Sequence, residues 1–170
     1  ETLERLALAI RQTGARRVLC LGDSFHDAGG ADRLEPYAAG MLAALTRAVD
    51  WVWITGNHDA EVTPREGGTW ADELELGGMT LRHQAKAGEA GLELSGHFHP
   101  RLKLNLRGRR IVRPCTVASE TRLILPAFGA FTGGMDAGDP AIVSAMQPAR
   151  AIRALLPVGE KVVEFPLWQA

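Results

Sequence analysis

The stretch WVWITGNHDA, residues 51 to 60, sets an apolar run of strand length against a glycine and then an amide, an imidazole and a carboxylate. Trp51, Val52, Trp53 and Ile54 suit a buried strand, and Gly56 suits the turn that ends it. Three polar side chains bunched at the end of such a strand are costly to bury unless something binds them. A metal, a phosphate or a proton in transit would each meet that need.

The same design occurs upstream, where RVLCLGD (17 to 23) reads as a buried strand ending in a glycine and a carboxylate. Before it, Leu3, Leu6, Ala7 and Ile10 recur at helical spacing and Gly14 supplies a C-terminal stop. After it, a polar loop with paired glycines leads to Pro36, a good first helical residue, and to the helix YAAGMLAALTRAV. Strand, loop, helix, strand is the order of a right-handed crossover in an α/β protein, where ligands gather beyond the C-terminal ends of the strands. GD (22 to 23) and GNHD (56 to 59) both fall there.

Past residue 68 the texture changes. DELELGGMTLRHQ reads as a hairpin turning at Gly77 and Gly78, GLELSG as a short strand, and KLNLRGRRIVRP as a second hairpin. RLILPAFG supplies a further strand, and the Gly-rich AFTGGMDAGD suits a tight connection or a site wall. QPARAIRALLP reads as a helix and KVVEFPL as a last strand. No internal repeat or linker divides the chain, so residues 1 to 170 are expected to form one α/β domain of two layered sheets with helices outside them.

With 170 residues, 46% of them apolar, the chain can bury a sizeable core without staples. A formal net charge of −1 argues against a uniformly basic surface that coats nucleic acid or anionic membrane, so any anionic substrate must meet a local patch. Cys20 and Cys115 are too few for a disulfide framework and lack zinc-ribbon spacing, and both read as reduced structural thiols. There is no membrane-length apolar stretch and no secretory signal pattern, which favours a soluble, cytoplasmic protein.

The five histidines are His26 in GDSFHD, His58 in GNHD, His83 in LRHQ, and His97 and His99 in SGHFHP. A His-x-His pair just past a strand can aim both rings at one locus if the chain bends there, and Gly96 and Pro100 bracket such a bend. Taken in order, GD, GNHD, His83 and GHFH (96 to 99) resemble the signature of the calcineurin-like metallophosphoesterases. The resemblance implies a four-layer α/β/β/α sandwich and two divalent metal ions bridged by an aspartate. It makes Asp23 the bridging ligand, adds Asn57, His83 and His97 at the second metal, and gives His99 to the first. Such an N/O shell without thiolate suits manganese foremost, or iron or zinc. His58 is then expected to protonate the leaving alkoxide or hold a phosphate oxygen. Asp59 suits either an orienter of His58 or a turn acceptor, and His26 and Asp27 either face the substrate or only hold their loop.

One part of the family pattern is absent: an Asp-x-His motif on a strand ahead of GD, which supplies two ligands to the first metal. Residues 1 to 22 hold neither an Asp nor a His. The expectation is that this strand lies upstream of Glu1, which stands in a helical pattern already under way; a degenerate member that never had it is the alternative. On that reading the first metal site is incomplete in this chain.

CLGDSFHD, WITGNHD, SGHFHP, RPCTVAS and LILPAFGAFTGG together resemble the bacterial metallophosphoesterases associated with a DNA ligase, a family of DNA damage response endonucleases. That resemblance implies a phosphodiester in DNA as substrate, and a ligase and a helicase as functional partners. Independently, Arg101, Lys103, Arg107, Arg109, Arg110 and Arg113 follow GHFH with no acidic residue among them. Such a cluster, Arg109, Arg110 and Arg113 foremost, suits several backbone phosphates, or else is a solvated hairpin whose outward positions are basic. Two other functions stay open: a nucleotide or phosphomonoester phosphatase of the same superfamily, and a binding module that keeps the fold without the activity.

Overall fold

The computed structural model describes residues 1–25, 29–30, 32–59, 67–129 and 132–170; His26 and Asp27 lie outside the described residues. The first helix, α1 (Thr2–Thr13), ends at Gly14 in the left-handed conformation (φ 65°), which glycine adopts without the Cβ penalty. It leads to β1 (Arg17–Cys20), then α2 (Pro36–Ala48) with proline in its first turn, then β2 (Asp50–Ile54). β1 and β2 run parallel with Cys20 beside Trp53, so the crossover read from the sequence is present. β3 (Thr69–Ala71) extends this sheet on the far side of β2.

Trp51 and Trp53 are buried against α1 and α2, with Leu42 of α2 and Leu6 and Ile10 of α1 in the same cluster. The indoles of Trp53 and Trp70 stack with centroids 5.6 Å apart. Centrality on a parallel sheet explains why β2 is apolar at every position from Trp51 to Ile54 rather than alternating. Each such fully buried side chain contributes about 1.5–3 kcal/mol.

A larger mixed sheet follows. Its strands are β4 (Glu73–Leu76), β5 (Met79–Arg82), β6 (Leu92–Ser95), β9 (Thr116–Ala118), β10 (Arg122–Ile124), β11 (Ala151–Val158) and β12 (Lys161–Gln169). They lie in the order β12-β11-β9-β10-β6-β5-β4. β4 and β5 form the hairpin expected at Gly77 and Gly78, while β5, β6 and β10 run parallel. β7 (Arg101–Leu106) and β8 (Arg109–Pro114) make a separate two-stranded hairpin. Its two-residue loop has positive φ at both Arg107 (50°) and Gly108 (75°), the turn whose twist matches its flanking strands.

The segment QPARAIRALLP, expected as a helix, is for the most part the strand β11. Ile152, Ala154 and Leu156 are buried while Arg153 is exposed, a period of two set by pairing to β9 on one side and β12 on the other. The helix propensity of its Ala, Arg and Leu residues is overridden by that pairing. The nearby helix is instead α3 (Pro140–Ala145), whose N-cap Asp139 accepts a hydrogen bond from the Ala141 amide at 2.9 Å. Asp139→Ala is expected to cost about 1 kcal/mol, read as a melting temperature lower by about 2–4 °C.

β5, β6 and β10 also carry a buried ionic network that the sequence did not announce. The Arg82 guanidinium reaches Glu89 at 2.6 Å, Glu73 at 3.1 Å and Glu93 at 3.2 Å. Arg122, 2% exposed, donates to the Lys86 carbonyl at 3.1 Å and the Glu89 carbonyl at 2.5 Å. Burial pushes the Glu93 carboxyl up, against the Lys86 amide and the two arginines. Buried charges need such partners, and here the network fixes the end of β5 one residue before His83. Both cysteines are free, and burial raises their thiols to about 12 at Cys20 and about 11 at Cys115, consistent with unreactive structural residues. Among the described residues no helix is long and apolar enough to cross a membrane.

Candidate metal centre

Four strand ends build the site. The parallel register of β1 and β2 brings their C-terminal turns side by side, and Gly56 lies against Asp23. Asp23 itself has φ 48°, a left-handed conformation that aspartate tolerates better than most residues. Its Oδ1 accepts from the His58 amide at 2.9 Å, tying GNHD to GD. Asp59 is 3% exposed, and its Oδ2 accepts from the amides of Gly56 at 3.1 Å and Ser24 at 3.3 Å. The turn-acceptor role expected as one of its two readings is therefore present, and it clamps both loops.

On the larger sheet β5 and β6 are parallel neighbours, so His83 and GHFH also emerge together. The Gly96 amide donates to the His83 carbonyl at 2.9 Å. His97 (φ 64°) and His99 (φ 48°) both adopt left-handed backbone, which produces the bend expected between Gly96 and Pro100.

The structure brings Asp23, His83 and His97 together: one donor atom from each lies within 4.8 Å of the others. His83 Nε2 is 3.2 Å from Asp23 Oδ2 and 3.0 Å from His97 Nδ1. Donors held at about 2.0–2.2 Å from a common ion lie about 3 Å from one another, so the spacing fits a coordination shell. His83 Nδ1 lies 2.7 Å from the Leu21 carbonyl, the bond that fixes a ligating imidazole's tautomer and leaves Nε2 with its lone pair. Burial holds the His97 imidazole below the ordinary histidine range, with His83 adding to the drop and Asp23 opposing it. Burial also lowers His99, against the pull of Asp23. Neutral rings are the ones that ligate metals.

Three glycines permit this convergence, and only their place in motifs hinted at it. A Cβ on Gly22 (φ 88°) would sit 2.4 Å from His83 Nδ1, and one on Gly56 would sit 2.2 Å from the Asp23 amide nitrogen. One on Gly134, in the Gly-rich segment read as a possible site wall, would sit 2.3 Å from the His99 carbonyl. Gly134 is therefore packed against the turn that carries His99.

His99 stands outside the triad, with the Asp23 carboxylate near enough to act on its imidazole. Asn57 and His58 are exposed on the GNHD turn. The basic run is divided by the pleat of its hairpin. Arg109 pairs with Leu106 and Arg113 with Leu102, so these arginines share the face of the leucines, whereas Arg110 pairs with Asn105 on the face of Arg101 and Lys103. Lys103 is engaged by Asp136 at 3.0 Å.

No protein-family profile and no curated protein matches the sequence. Among solved structures, the chain is similar to the nuclease MPE of Pseudomonas putida, at 29% identity and a TM-score of 0.72, across 96% of this chain and 77% of that one.

Proposed function

We propose that this chain is a metal-dependent phosphodiesterase of the calcineurin-like metallophosphoesterase type, a single four-layer domain acting as a nuclease on DNA. The observation that carries the reading is the convergence of Asp23, His83 and His97 from three strand ends in a chain similar to a nuclease. Asp23, Asn57, His83 and His97 would hold one divalent ion, manganese foremost, and Asp23 and His99 would serve a second. Bound there, such ions clamp a phosphoryl group and acidify water. His58, on the rim of the GNHD turn, protonates the leaving oxygen, and Asp59 keeps that turn in place through the Gly56 and Ser24 amides. Resemblance supports a role in DNA repair beside a ligase and a helicase.

Parallel assays with manganese on an oligonucleotide, a cyclic nucleotide and a phosphomonoester test this reading. Cleavage confined to the oligonucleotide supports it; turnover of the monoester alone would make the protein a phosphatase, and no turnover at all a binding module. Arg109 and Arg110 are exposed and lie on opposite faces of the hairpin. The double substitution Arg109→Ala, Arg110→Ala is expected to weaken oligonucleotide binding several-fold and to lower the salt slope by about 1 to 2, with monoester hydrolysis unchanged.

A further inference from the structure

The β7–β8 hairpin stands apart from both sheets, and one of its faces leads out of the core. Leu102, Leu104 and Leu106 share that face, since side chains alternate along a strand. Leu102 is buried and Leu104 packs against the core, but Leu106, beside the turn, is 54% exposed and belongs to neither apolar cluster. Arg107, Arg109 and Arg110 around it are exposed as well, and residues 101 to 113 hold no acidic side chain. Arg107 occupies the first turn position in left-handed backbone (φ 50°), where Asn, Asp or Gly is the easy choice. Stability alone calls neither for an arginine there nor for an open leucine next to it. The tip lies about 17 Å along the ribbon from its Arg101–Pro114 end, at an antiparallel rise of about 3.4 Å per residue.

An apolar side chain amid arginines matches DNA, which offers phosphates to the cations and base faces to the leucine. Two magnitudes decide which DNA. Full burial of one leucine is worth about 10- to 100-fold in an equilibrium constant. Parting a stacked base step costs a factor of the same order or larger, so a lone leucine gains nothing by forcing intact duplex open. Proteins that do so recover the cost by wrapping bent DNA over a broad surface, and a two-stranded tip offers little of it. Where stacking is already interrupted, that cost vanishes and the gain from burial remains. We infer that the tip docks at a gap or nick in duplex DNA, Leu106 covering the open face of a base pair while Arg107 and Arg109 meet the flanking phosphates. The inference rests on the nuclease reading for DNA as the ligand, but recognition by the tip is separable from cleavage at the metal centre.

Fluorescence anisotropy in EDTA, where no ester is consumed, tests it with two labelled dumbbell duplexes of one sequence, closed at both ends by stacked loops. One is intact and the other lacks a single nucleotide in mid-stem. The expected result is tighter binding of the gapped dumbbell, a loss of about 10-fold for that dumbbell alone in Leu106→Ala, and recovery in Leu106→Phe. Arg107→Ala is expected to weaken both several-fold, since phosphates are common to the two. Equal binding of both dumbbells by the unsubstituted protein, no binding of either, or a Leu106→Ala loss that is absent or equal for both would overturn the wedge. Manganese is then added to the same samples and to a single strand of the same sequence. Gap-dependent binding without cleavage of any strand would remove the nuclease reading and leave the wedge standing, whereas cleavage with equal binding of the two dumbbells would do the reverse.

Discussion

His83→Ala is expected to lower manganese affinity by more than 100-fold and to reduce phosphodiesterase activity to background. His83 lies between the other two donors, with Nε2 about 3 Å from both Asp23 Oδ2 and His97 Nδ1. It is also the most constrained of the three, 5% exposed, with Nδ1 against the Leu21 carbonyl and its own carbonyl accepting from Gly96. Loss of an outer-shell partner typically costs 10- to 100-fold in metal affinity, and loss of a donor is expected to exceed that. Calorimetric titration of manganese into both proteins, with circular dichroism to show that the variant is folded, makes the comparison. Unchanged affinity in a folded His83→Ala protein would place the metal elsewhere.

Gly22→Ala carries the second large effect, on stability. A left-handed φ costs alanine about 1–2 kcal/mol. The added Cβ would lie 2.4 Å from His83 Nδ1 and 2.8 Å from Gly56 Cα, a backbone atom with little room to move. Overpacking of that kind costs about 1–3 kcal/mol more, giving a loss of about 2–5 kcal/mol and a melting temperature lower by roughly 10 °C. Gly14→Ala supplies the contrast. Gly14 also has positive φ (65°), but nothing lies within 4 Å of its added Cβ, so only the conformational cost of about 1–2 kcal/mol applies. Equal melting temperatures for the two variants would show that the turn after β1 does not press on His83.

The metal-ligating group was legible because polar residues at strand ends stand out in a sequence. Asp23, His83 and His97 could each be placed at the end of a strand-like run, and the parallel pairing within each sheet did much of the rest. What could not be read were contacts made by distant partners. The burial alternation in Ile152, Ala154 and Leu156 is imposed by β9 and β12, and locally the segment looks helical. Arg82 and Glu93 read as ordinary hairpin and strand charges, because nothing nearby reveals that Arg122 closes a buried network around them. The basic run from Arg101 to Arg113 looked like one patch, but register decides which arginines share a face. The Arg5 guanidinium, lying 5.0 Å from the centroid of the Phe128 ring, is the extreme case, a juxtaposition made wholly by the fold.

The central claim, that Asp23, His83 and His97 hold a divalent ion, is tested most directly by anomalous diffraction from manganese-soaked crystals recorded above and below the manganese edge. The account predicts an anomalous peak about 2.0–2.2 Å from Asp23 Oδ2, His83 Nε2 and His97 Nδ1. Strong manganese peaks elsewhere, with no density between those three atoms, would contradict it.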